Sequence, residues 1–264
     1  GSKVSIIEAQ DYLLPSEDLD ISKALEKSFK AKNIDLNLSA KVENIEVKNK
    51  VNIDLKDKVI KSDCVLVAIG VQGNFEDLFS ENLDININKS FISTNDFMQT
   101  KYSNIYAIGD IAGPPWLAHV ASAEGVLAVE HFSKKDVESI DYKNIPGCTY
   151  CKPEISSIGL TEKEALEKGY DVEIGNFPLS ASGKAMAVSA TEGFVKIIYD
   201  KKYGELLGFH MIGENATELI SEIAVARKLE ATNDEILKII HPHPTISESI
   251  VESTANSKDE SIHI

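Results

Sequence analysis

Apolar residues recur along this chain with two periods, about 2 and about 3.6 residues, and their order sketches two kinds of domain. "KVSIIEA" (Lys3–Ala9) reads as a short strand that closes on Glu8. Ser16, followed by Glu17 and Asp18, reads as a helix start, because carboxylates are favourable near the positive end of a helix dipole. Leu19, Ile21, Leu25 and Phe29 continue that helix. "IDLNL", "KVENIEV" and "KVNIDL" alternate like small antiparallel strands, broken by Asn-Lys and Lys-Asp turns. "CVLVAIG" (Cys64–Gly70) is continuously apolar, as in a parallel strand buried on both faces. A loop-rich stretch runs to about Ser93, and "SNIYAIGD" then gives a second buried strand ending in Gly109-Asp110. A Gly-Pro-Pro loop leads into an apolar-periodic helix from Trp116 to Phe132.

From about Ile145 the texture changes. "TEKEALEKG" (Thr161–Gly169) predicts a short helix with a Thr-x-x-Glu capping box and a glycine stop. "GFVKIIYD" and "GELLGFHMIG" predict neighbouring strands of a half-buried antiparallel sheet, and "TELISEIAVARKLEA" an amphipathic helix. Thr232 and Glu235 form a second capping box, opening a helix that runs into Ile240. A strand, a helix, small strands and a buried strand, followed by this region, imply an α/β nucleotide-binding part and a separate α+β domain. The beginning of the α/β part is expected to be missing.

Composition narrows the function more than the fold. The 264 residues carry a formal net charge of -15 and a pI near 4.9, a field that repels phosphate backbones and disfavours a nucleic-acid partner. No apolar run approaches the roughly 20 residues of a membrane-spanning helix. Three cysteines, an odd number, form no disulfide framework and argue for a reducing compartment. The chain opens on Gly1 without a methionine, and strand residues follow almost at once, the look of a cut or engineered start.

Four places can carry chemistry. Glu8 stands where a dinucleotide-binding unit keeps an acid for the adenine ribose, although a lone acid after a strand is more often just a solvated residue. Asp110 stands at the carboxyl end of a buried strand, the ligand edge of an open α/β sheet, or in an ordinary turn. Cys148 and Cys151 form a C-x-x-C with no second ligand pair for zinc and no helix opening behind it, which favours two structural thiols and no metal site. "HPHPTISE" (His241–Glu248) is the densest. A capping box explains Thr245 and Glu248. It does not explain His243 between Pro242 and Pro244, whose backbone is pre-organised and which a carboxylate five residues on can orient.

Taken in order, these segments resemble one family over nearly the whole chain, the flavoprotein disulfide reductases, in their dihydrolipoamide dehydrogenase branch. "GSKVSIIEAQDYLLP" is similar to the second strand of the family's NAD domain, and "VLVAIGVQGN" to the strand and turn that close it. "NIYAIGDIAGPPWLAHVASAEG" resembles the flavin motif, while "PEISSIGLTEKEA" and "HPHPTISE" resemble the interface domain. The resemblance implies a partial dinucleotide-binding domain over residues 1–70, a central flavin-contacting segment over 71–143 and a C-terminal α+β dimerisation domain over 144–264. It implies FAD and NAD as cofactors, Glu8 at the adenine ribose and Gly70 near the nicotinamide. Asp110 falls at the flavin ribityl chain, with Leu117, Ala118 and His119 along the flavin ring. His243 becomes the general base for a dihydrolipoamide thiol and Glu248 its orienting partner, serving the other subunit of a homodimer.

The further partner implied is the acyltransferase component of an α-keto acid dehydrogenase complex, in a bacterial cytoplasm or an organelle matrix. Gly70-Val-Gln-Gly-Asn74 departs from the family's Gly-Arg-x-Pro-Asn, so no arginine contact to NAD follows. The family's FAD-binding turn, redox Cys-x4-Cys and NAD glycine turn have no counterpart here, so the chain alone is expected to be inactive. Gly1-Ser2 fits both a native Gly-Ser-Lys-Val and a tag remnant. The alternative from another class is a non-catalytic dimerisation or binding module.

Overall fold

The computed structural model of the protein describes residues 1–80 and 82–264. In chain order the elements begin with β1 (Ser5–Ile7), α1 (Leu19–Ala31), β2 (Asp35–Asn37), β3 (Val42–Val47), β4 (Val51–Leu55) and β5 (Val59–Ser62). They continue with β6 (Ile87–Asn88), β7 (Phe91–Ile92) and α2 (Ala118–Phe132). The last part holds β8 (Gly147–Thr149), β9 (Ile155–Gly159), α3 (Glu162–Glu167), β10 (Val172–Pro178), α4 (Gly183–Ala187), β11 (Phe194–Asp200), β12 (Leu206–Ile212), α5 (Ala216–Lys228), α6 (Asn233–Lys238) and α7 (Glu248–Asn256). Two compact units result: residues 1–65 with 143–264, and residues 66–142.

The larger unit is built on a five-stranded antiparallel sheet in the order β10-β11-β12-β9-β8. Its central strands β11 and β12 are buried almost throughout, on both faces, rather than half-buried as alternation suggested. One face packs Val195, Ile197, Tyr199, Phe209 and Met211 against Ile220 and Ile223 of α5 and Ile250 of α7. The other face packs Ile155 and Ile212 against Leu13, Ile21 and Leu25, so α1 closes the second side. This second cover is why the polar positions of the alternation are buried too.

Helix α1 starts two residues later than Ser16. Asp18 is the N-cap, its carboxylate accepting the Asp20 N–H at 3.0 Å. β1 and β2 pair in parallel across α1, a β-α-β unit, so "IDLNL" belongs to a parallel pair and not to the antiparallel meander. β3, β4 and β5 form that meander as expected.

"CVLVAIG" is a correction. Residues 64–70 form no strand, and Leu66 and Ile69 are 89% and 94% exposed. A continuously apolar strand needs a hydrogen-bonded neighbour, and among the described residues none pairs with this run. "SNIYAIGD" is likewise not a strand but a loop with one isolated bridge, Gln99 to Tyr106. Its Ala107 is buried with Ile85 and Ile92 in the small core of the second unit.

A polar row crosses the α1 face of the large sheet: Lys196, its cross-strand partner His210, and His210's partner Ser157. Lys196 Nζ, 2% exposed, lies 2.9 Å from Asp18, 2.6 Å from Asp20 and 2.6 Å from Glu162. Burial disfavours the ammonium, but the three carboxylates outweigh it and hold the group well above the usual lysine range. Glu162 is the first residue of α3, whose Thr161–Glu164 capping box forms as predicted. One cation therefore ties the start of α1 and the start of α3 to the middle of the sheet.

Lys196→Met should cost the large unit about 3–5 kcal/mol, because it leaves Asp18 buried without its counter-ion. Chemical denaturation measures this, and pairing the change with Asp18→Asn should recover part of the loss. A neutral single variant contradicts the role given to Lys196.

Candidate functional site

The end of the chain folds into the most chemically pointed arrangement. Strand β10 meets α7 at Gly175, where a Cβ would stand 1.7 Å from the Ser253 carbonyl oxygen. Small residues on α7 (Ser249, Ser253 and Thr254) are fully buried against the sheet. Ser253 Oγ donates to the Val195 carbonyl, Thr254 Oγ1 pairs with the Tyr199 hydroxyl at 2.9 Å, and Asn256 accepts the Asn176 N–H at 2.8 Å. The helix is thus fixed lengthwise, and its first residue is Glu248.

Glu248 uses both oxygens. Oε2 accepts the Thr245 N–H at 2.8 Å, and Oε1 lies 2.9 Å from His243 Nδ1. The expected capping box is only half formed. Thr245 Oγ1 donates to the Pro242 carbonyl or meets Ser247 Oγ instead of taking the Glu248 N–H, and Ser247 is the N-cap. Burial pushes the Glu248 carboxyl up, but the Thr245 N–H and His243 prevail and hold it below the usual glutamate range. His243 is 77% exposed at the side chain, and its Nε2 points away from the pair. With Nδ1–H held by a carboxylate, Nε2 is the basic nitrogen.

Sequence reasoning gave no role to His241. Its side chain is 4% exposed, and Nε2 lies 2.8 Å from Glu222 on α5. A carboxylate 19 residues upstream leaves no short-range signal in sequence.

In the smaller unit Asp110 is exposed within a 3-10 turn, Gly109–Ala112. Glu124 of α2, 5% exposed, holds that turn: Oε2 accepts the Gly109 N–H at 2.6 Å and Oε1 the Tyr142 hydroxyl at 2.7 Å. Gly109 has φ +70° and Ala121 would stand 3.2 Å from a Cβ there, so the turn lies flat on α2. Glu124 was also missed, since an acid within an apolar helix reads as its solvent side. Leu117 is the N-cap of α2 without a side-chain cap bond, and Ala118 and His119 are exposed in the first turn. Gly70 is exposed with φ +125° and open space around it. Glu8 closes β1 half-buried, its carboxylate accepting the Gln10 N–H at 2.8 Å.

Cys148 packs with the α5 face of the large sheet and Cys151 with the α1 face. The two thiols look to opposite sides, and burial raises both above the usual cysteine range. Among the described residues no cluster of three or more His, Cys, Asp or Glu side chains is arranged to hold a metal. No helix among these residues is long and apolar enough to cross a membrane.

Residues 1–125 match the pyridine nucleotide-disulphide oxidoreductase domain, and residues 145–254 match the dimerisation domain of the same group. The chain belongs to the pyridine nucleotide-disulphide oxidoreductases.

Dihydrolipoyl dehydrogenase of Bacillus subtilis is 43% identical over 270 residues, covering 100% of this chain and 57% of the relative. That of Zymomonas mobilis is 41% identical, covering 100% and 58%. LpdA from Mycobacterium tuberculosis superposes with a TM-score of 0.89 at 27% identity, over 96% of this chain and 56% of that one. The HOCl-induced flavoprotein disulfide reductase RclA from Escherichia coli gives 0.90 at 28%, over 97% and 59%. The chain therefore spans somewhat under three fifths of the length of these proteins.

Membership of the pyridine nucleotide-disulphide oxidoreductases implies FAD and NAD as cofactors. The smaller unit suits a flavin. Asp110 is an exposed acceptor for hydroxyls, and the N-cap of α2, Leu117, makes no side-chain cap bond.

Gly175→Ala should destabilise the large unit by at least about 1–3 kcal/mol, because α7 has no room to retreat. Gly183→Ala, with open space around its Cβ, should be near neutral. Thermal melts compare the two, and equal stability would contradict the seating of α7.

Proposed function

We propose that this chain is the C-terminal portion of a dihydrolipoamide dehydrogenase, and that it supplies the acid–base pair of the enzyme. The observation that carries the reading is His243 Nδ1 at 2.9 Å from Glu248, on a loop whose helix is locked to the sheet. Glu248 holds the Nδ1 proton and orients the ring. Nε2 takes the proton of a dihydrolipoamide thiol, since the thiolate is the species that attacks a disulfide. When bound, with Asp110 at its ribityl chain, FAD would supply a two-electron carrier between the reduced form of the redox disulfide, a dithiol, and NAD.

The remaining assignments follow the same reading. Residues 1–70 are part of the NAD domain, with Glu8 at the adenine ribose and Gly70 beside the nicotinamide. Residues 71–143 carry Asp110 at the flavin ribityl chain and Leu117, Ala118 and His119 at its ring. Residues 144–264 form the homodimer interface, across which His243 serves the other subunit. The substrate dihydrolipoamide is borne on the acyltransferase component of an α-keto acid dehydrogenase complex, and the compartment is a bacterial cytoplasm. The redox disulfide belongs to a part of the enzyme outside this chain, because Cys148 and Cys151 face opposite sides of one sheet.

In the full-length enzyme His243→Gln should slow reduction of the flavin by dihydrolipoamide by at least about 10²-fold. Electron transfer from NADH to an artificial acceptor should fall much less, and Glu248→Gln should be the milder of the two variants. Stopped-flow measurement of each half-reaction checks this. Equal loss in both would assign the loop a folding role.

The chain alone should give no turnover with NADH, lipoamide and added FAD, yet sediment as a dimer at micromolar concentration. Turnover near that of a whole enzyme, or a clean monomer, would contradict the assignment.

A further inference from the structure

In the smaller unit, α2 offers the preceding turn a narrow seat. Ala121, Glu124 and Gly125 stand three and four positions apart, on one face of the helix. Gly109 lies over Ala121, whose methyl would stand 3.2 Å from a Cβ at Gly109. Ile108 lies over Gly125, and its Cδ1 would stand 3.2 Å from a Cβ there. Glu124 sits between these two contacts, 5% exposed, with both oxygens engaged. Oε2 accepts the Gly109 N–H at 2.6 Å, and Oε1 accepts the Tyr142 hydroxyl at 2.7 Å.

We propose that Glu124 is a positioning residue for the flavin: by holding the Gly109 amide against α2, it sets Asp110 at a fixed place relative to the first turn of that helix. This role rests on Asp110 and the start of α2 being the flavin contacts of the functional reading.

Gly109 has φ +70°, and the 3-10 turn it opens receives no side-chain bond from its own N-cap, Ile108. The acceptor that fixes the first peptide of the turn therefore comes from α2. Asp110 is the next residue, so any swing of that peptide moves its carboxylate directly. Leu117, Ala118 and His119 begin the same helix, which Val120, Leu127 and Ala128 bury in place. One carboxylate thus joins the two flavin-facing segments into a single body.

A carboxylate is costly on this face, where Val120, Leu127 and Ala128 are buried nearby in the helix and an apolar side chain would satisfy burial alone. What it adds is two directed hydrogen bonds. Burial and the neighbouring Glu124 push the Tyr142 phenol up, so its hydroxyl stays protonated and remains a donor. Tyr142 satisfies one oxygen of Glu124 and leaves the other for the turn.

Four substitutions separate position from charge and packing. Glu124→Gln keeps the length: its amide oxygen can take the Gly109 N–H while its NH2 donates to the Tyr142 oxygen. Glu124→Asp keeps the charge but withdraws it by one methylene. Glu124→Leu removes both acceptors, and Tyr142→Phe leaves the Gly109 bond intact.

The first measurement is amide exchange of Gly109 in this chain, followed by NMR. Glu124→Leu and Glu124→Asp should speed it by about ten-fold or more, the loss expected for an amide without its acceptor, while the central amides of α2 keep their rates. Glu124→Gln should leave it nearly unchanged. The second is FAD release from the full-length enzyme, read by the fluorescence of freed flavin rather than by turnover. Glu124→Leu and Glu124→Asp should weaken retention by about ten-fold or more, Glu124→Gln and Tyr142→Phe by less than about three-fold. Asp110→Ala tests the underlying reading in the same assay.

Release of flavin by Asp110→Ala but not by Glu124→Asp or Glu124→Leu would overturn the proposal and leave the functional reading standing. Flavin held as tightly by Asp110→Ala as by the unaltered enzyme would sink both. Glu124→Gln losing flavin while Glu124→Asp keeps it would make charge the operative property and contradict positioning. So would equal losses in Tyr142→Phe and Glu124→Leu, the mark of a packing role alone.

Discussion

Lys196 sits in the middle of a strand that is buried on both faces, and a lone ammonium there would be prohibitively costly. It is tolerated because Asp18, Asp20 and Glu162 come to it from two different helix starts. Those acids are not free to sit elsewhere. Asp18 caps α1 and also accepts the Glu162 N–H at 3.1 Å, so the cation, the cap and the next helix are one connected set. A segment 178 residues upstream in sequence is thereby registered on the sheet. The apolar contacts of Leu13, Ile21 and Leu25 supply area, while the buried charge supplies a unique position.

The opposite face of the same sheet is used with a different economy. There α7 comes so close that only glycine is accommodated at position 175, and buried hydroxyls rather than large side chains make the contact. Close packing of this kind leaves little play along the helix axis. Glu248, at the start of that helix, inherits the precision. Its two oxygens divide the work, one holding the Thr245 N–H that shapes the loop and the other holding His243. In "HPHPTISE" a single carboxylate thus shapes the helix entry and holds the imidazole.

Much of this was legible in the chain. Periodicity placed α1, the meander, α2, the helix pair after Thr161 and Thr232, and strands β11 and β12. The spacing of His243 and Glu248 anticipated their contact. What periodicity could not see were partners distant in sequence. "CVLVAIG" has the composition of a buried strand, but composition does not provide the neighbouring strand, and the run lies exposed. "GFVKIIYD" reads as half-buried because Lys196 looks solvent-facing until Asp18 and Glu162 are brought to it. Glu124 and His241 were overlooked for the same reason. Each is a polar residue made useful by a group 15 or 19 positions away, Gly109 or Glu222. The C-x-x-C lacks a second ligand pair in sequence, and in the fold its two thiols pack on opposite faces of the sheet.

The central claim is that His243, oriented by Glu248, takes the thiol proton of dihydrolipoamide at a flavoprotein disulfide centre. The most direct measurement joins this chain to the portion of the Bacillus subtilis relative that it does not cover and follows the flavin absorbance of the purified chimera. The account predicts a yellow protein whose flavin is reduced by dihydrolipoamide as well as by NADH. A chimera that binds flavin and is reduced by NADH, yet is left oxidised by dihydrolipoamide, would contradict it.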